Sequence, residues 1–263
     1  MSGLDDACRE VATMLDFHLE GAEFGQSPVS QAADVDGAIL HYQAIGICEL
    51  LLDAEVDAFF HHLIRGAQVR KWFLEQARTS AGFPERSLRA SNGNGIFGAI
   101  AAFQWPLARD IAALSPGAWM QEVEYEDDFA HMHFIHRYLA SAPPTELADI
   151  VNRFEKALEG GPSPRLALCK AVLARDPDAG AEAITALIDG HRAELAHMKK
   201  FSLYATEDLF LPLSAIYVEG LAWLSLLETA GVVLPGEYTY CPSLARRKNY
   251  APFEVTTFPR LPL

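Results

Sequence analysis

A chain of 263 residues, half of them hydrophobic and 21% charged, is long enough to bury a core without staples, which excludes a disulfide mini-scaffold and a disordered tail. Lys and Arg number 21 against 35 Asp and Glu, and the net charge of −14 works against direct binding to nucleic acid or to an anionic membrane; a basic partner suits it better. The cysteines Cys8, Cys48, Cys169 and Cys241 form no C-x-x-C pair, so reduced thiols in a cytosol are expected, and the acidic start at residues 1–6 lacks the basic-then-apolar pattern of an export signal.

The periods along the chain are helical almost throughout. Cys8, Val11, Ala12, Leu15 and Leu19 make one stripe and predict a helix over about 4–20. After a loop at 25–30, a second helix is expected over 36–52, and Asp53 is expected to cap a third that carries Phe59, Phe60, Leu63 and Ile64, giving an αα-hairpin. Residues 79–95 look like an exposed connection, and 96–114 like a helix interrupted at Pro106. Further helices are predicted over 129–139, 146–158, 165–174, 178–199 and 206–230, with Asp176-Pro177 turning a second hairpin. The stretch 209–227 holds Glu219 as its one charge and has the composition of a buried core helix.

The architecture that follows is all-α, about nine helices in stacked antiparallel αα-hairpins, ending in an irregular Pro-rich tail with at most short strands near 232–239 or 255–258. The chain divides into an acidic part, 1–115, and a second part, 116–263, packed together as one globular unit. Residues 1–60 hold twelve acids, Asp34 and Asp36 among them, against the single base Arg9, and a second acidic run follows at Glu122, Glu124, Glu126, Asp127 and Asp128. Asp34, Asp36 and the five acids of the second run are the expected partner-facing groups. Arg165 and Arg175, beside Asp176 and Asp178, are expected to be structural, pairing across the second hairpin.

Chemistry has few footholds. His131, His133 and His136 form H-x-H-x-x-H, but on a helix His131 points about 200° from His133, so a metal-dependent enzyme built on them with Asp127 is an alternative reading with poor ligand geometry. Nucleophile elbows, phosphate loops and zinc-protease motifs are missing, so no catalytic residue, metal or cofactor is assigned. A helical scaffold that binds a peptide is a third reading.

The segment 124–129, then Arg165-Leu166 with Leu173-Ala174-Arg175-Asp176, the long Leu-rich helix ending at Gly231, and Tyr240-Cys241-Pro242-Ser243-Leu244 resemble the immunity protein forty-nine family of bacterial polymorphic toxin systems over about residues 120–245. Cys241 stands where that family is expected to carry Leu. The resemblance implies an all-helical, non-enzymatic cytoplasmic protein that binds and neutralises a cognate toxin, often a nuclease. Acidity fits that task, because a nuclease must be basic to hold phosphates and a carboxylate-rich inhibitor is steered into the same groove.

Overall fold

The structure is a computed structural model that describes residues 2–202, 208–234 and 236–253. It is all-α. The first three helices are α1 (Ser2–Phe24), α2 (Pro28–Cys48) and α3 (Val56–Thr79). Loops too short to do anything but reverse the chain join them, so they run antiparallel. α2 begins earlier than its apolar period suggests because Ser27 and Ser30 close a capping box around Pro28. At its far end Asp53 caps nothing: α2 runs on into a π-helical turn, Glu49–Asp53, and Ala54 in the left-handed region stops it before α3.

Close packing of α1 on α2 depends on glycine. A Cβ at Gly37 would fall on the His18 ring, and His18 Nδ1 lies 3.0 Å from Asp34 Oδ1 across the same interface. Cys8 and Cys48 form a disulfide that ties the start of α1 to the end of α2, with Cα atoms 6.0 Å apart, which corrects the expectation of free thiols at these two positions. Their spacing in the chain hides the pair; only the antiparallel hairpin brings them together. Cys169 and Cys241 are free and buried.

The expected exposed connection at 79–95 contains a short helix, α4 (Glu85–Leu88), and part of it is interior: Ala90, Asn92 and Gly95 are buried. Pro106 does not kink one helix but starts a second, dividing the region into α5 (Ile96–Ala101) and α6 (Trp105–Leu114), as a ring with no N–H to give is tolerated in a first turn. Then come α7 (Glu126–Leu139), α8 (Pro144–Ala157), α9 (Pro164–Ala174) and α10 (Pro177–Phe201), where Asp176 accepts from the N–H groups of Asp178 and Ala179 as an N-cap. The expected single helix over 206–230 is broken: α11 (Phe210–Leu213) and α12 (Val218–Thr229) are separated by residues 214–217, and 206–207 lie outside the described residues.

α12 is the axis of the C-terminal half. Residues 220–227 are all buried, Trp223 fully, and the helix packs against α5, α9 and α10. One contiguous apolar core runs from Leu15 to Ala245, so residues on both sides of the expected 115/116 boundary share it. Two segments, Pro28–Asp53 and Phe210–Thr229, are long and apolar enough to cross a membrane, and most of each is buried inside the fold, as core helices are. The described part of the Pro-rich tail is anchored to the core: Tyr250 donates to the Ala102 carbonyl and accepts from Gln104 Nε2 at 2.9 Å. Extended pairing among the described residues is one antiparallel bridge, Tyr238 with Cys241, and 255–258 lie outside them.

Candidate functional site

Two regions collect the charge that the sequence singles out. The first is a polar cleft where α7, α9, α12, the 89–95 loop and the start of α5 meet, made of two adjoining hollows of about 460 and 340 Å³ that share Ser91, Phe97 and Arg165. Arg165 holds Glu219 through two parallel hydrogen bonds, Nε to Oε1 at 2.7 Å and Nη2 to Oε2 at 2.8 Å, and reaches Asp128 at 3.4 Å. The Tyr217 hydroxyl donates to Glu219 Oε2 at 3.0 Å. Burial alone would raise the Glu219 carboxyl, but the Arg165 guanidinium outweighs it and holds the group below the usual carboxylate range. Asp128 goes the other way, raised first by burial and then by neighbouring Asp127.

Arg165 was expected to pair across the second hairpin; its carboxylate partners lie elsewhere. It bridges α9 to α12 and α7, and Glu219 is the residue that sequence reasoning missed. The signal was present: a lone acid in an apolar helix must find a cation or protonate when buried. Arg175 ends α9 in the left-handed region, and among the described residues it pairs with neither Asp176 nor Asp178.

The histidines part company. His131 is buried against Trp223, ring centroids 5.6 Å apart, with no partner at Nε2. His133 stacks on Phe129 at 5.1 Å, and His136 is buried separately. Burial pushes His131 and His136 down to about 3, so both are neutral. Among the described residues no group of three His, Cys, Asp or Glu is placed to hold a metal ion.

The acidic run before α7 is mostly occupied from within. Glu124, only 7% exposed, accepts from the backbone N–H of Ser91 at 2.8 Å and of Met120 at 3.4 Å, so it pins the loops and does not face a partner as expected. Glu126 pairs with Arg153 at 2.8 Å and Asp128 with Arg165, while Asp127 begins α7 beside them and Glu122 is exposed. Asp34 is engaged by His18, and Asp36 accepts from Asn92 Nδ2 at 3.2 Å.

No family model, curated protein or solved structure matches the chain. Function must be argued from surfaces.

The second region is the outer face of α1. Ala7, Val11, Leu15 and Ala22 are buried on the inner face, which turns Glu10, Thr13, Phe17, Glu20 and Phe24 outward within about a quarter of the helix circumference, with Asp16 and Glu23 beside them. All seven are exposed, Phe17 at 62% and Phe24 at 71%. Arg9, the base on this face, is taken by Asp5 and Asp6 at 3.0 and 2.7 Å. No other cation among the described residues stands within ion-pairing distance of Glu10, Asp16, Glu20 or Glu23.

Proposed function

We propose that the protein is an immunity protein: a non-catalytic binder that neutralises a basic bacterial toxin of nuclease type, one molecule to one, in the cytoplasm. The observation that supports the reading is the outer face of α1, where four carboxylates without partners among the described residues are interleaved with two exposed phenylalanines. Aromatic anchors set among complementary charge are what a specific protein interface uses, the rings for affinity and the charge for steering and partner choice. The resemblance over 120–245 is the second support, and the occupied state of the 122–128 run moves the working surface from that segment to α1.

A binder that occludes its target is consumed with it, whereas an enzyme turns over. The toxin encoded beside this gene, held at fixed concentration and titrated with the purified protein, should lose its activity with a break near one equivalent. Full neutralisation at a small fraction of an equivalent would overturn the reading. In a reducing cytoplasm the Cys8 and Cys48 thiols would be held apart from disulfide by the glutathione pool, so the α1–α2 hairpin would have to persist on packing alone.

A further inference from the structure

Away from both charged regions, the chain ends of α7, α9 and α12 and the starts of α6 and α8 enclose a pocket of about 690 Å³. That is the size of a small-ligand site, and its walls are mostly apolar, including Trp105, Tyr138, Leu147 and Leu173. Arg109 and Arg175 also line it, and both are exposed, so they stand at its mouth. Neither has a carboxylate within ion-pairing distance among the described residues, in a chain with fourteen more acids than bases.

Two residues of the lining hold the left-handed backbone conformation, as do Ala54, Phe103, Glu159 and Tyr240 elsewhere in the fold. Arg175 has φ +52° and Ser141, another lining residue, +58°. Positions of this kind at helix ends ordinarily go to Gly or Asn, which adopt the left-handed region without strain.

We propose that this pocket binds a small amphiphilic carboxylate, with its apolar body between Trp105, Tyr138, Leu147 and Leu173 and its head on Arg109 and Arg175. The inference is independent of toxin neutralisation: the pocket and the α1 face share no residue. Octanoate, 1-octanol and octylammonium, matched in chain length, separate the apolar from the ionic contribution when titrated calorimetrically into the full chain. Octanoate should bind saturably at one site about tenfold more tightly than 1-octanol, and octylammonium more weakly than either. Arg109→Gln with Arg175→Asn, where Asn keeps the left-handed backbone, should erase the preference for octanoate and leave 1-octanol unchanged. Ala142→Phe should fill the pocket and abolish both; should that variant melt early, the arginine variants decide the matter. Equal affinity for octanoate and 1-octanol, no saturable binding of octanoate, or a folded Ala142→Phe that binds as wild type would each overturn the proposal.

Discussion

Along α1, Glu10, Asp16, Glu20 and Glu23 stand in water with no cation paired to them among the described residues, whereas from 122 to 128 three of the five carboxylates are spent on the protein's own backbone and arginines: Glu124 on the 91 and 120 amides, Glu126 on Arg153, Asp128 on Arg165. In the sequence the second run is the denser of the two, five acids in seven residues. Local charge density therefore says little about availability. A segment at a junction of helices meets backbone donors and guanidiniums from elsewhere in the chain, while the outer face of a terminal helix meets solvent, and a carboxylate is free for a partner only in the second situation.

The largest expected effect tests the interior side of this contrast. His131 and His136, held near 3, refuse a proton that they accept near 6.5 once unfolded, so stability is full above pH 6.5 and falls as pH drops toward 3. Glu219, lowered by Arg165, acts in the same direction below 4.5, and the raised Asp128 offsets a part of it. Each buried histidine supplies a slope of about 1.4 kcal/mol per pH unit. Urea midpoints at about pH 7.5 and about pH 5 should differ widely; coincident midpoints would mean that these imidazoles reach water.

The α1 side has its own stabiliser. Replacing Cys8 and Cys48 with Ser removes a cross-link between residues 40 apart and should cost about 4 kcal/mol by loop entropy, seen in urea denaturation without reductant. If the loss is nil, glycine-permitted packing alone holds the face in place. Next comes Arg165→Ala, which strands the Glu219 carboxylate in the interior and should cost about 3 kcal/mol. Adding Glu219→Gln should recover part of that loss in a double-mutant cycle, and strictly additive costs would dissolve the pair.

The smallest effect on stability should accompany the sharpest effect on binding. Glu10→Gln, Asp16→Asn, Glu20→Gln and Glu23→Gln together should change stability by under about 0.5 kcal/mol, because the four side chains are exposed. The same variant should slow association with a basic partner about tenfold at low salt and flatten its salt dependence. Glu122→Gln with Asp127→Asn should slow it less. Reversal of that order would return the working surface to the second run.

The helical class, most helix positions and the buried character of 220–227 were all readable from period and composition, since a 3.6-residue stripe and a cap residue are local facts. The partner of Arg165 was not readable, since Glu219 lies 54 residues away and no local rule names it. The Cys8–Cys48 bond, the split of the last apolar stretch into α11 and α12, and the division of carboxylates into free and occupied were decided by the tertiary structure. Each depends on which groups from distant parts of the chain arrive at the same point, and only helix packing fixes that. Charge in a sequence counts the carboxylates; the packing determines which of them still need a partner.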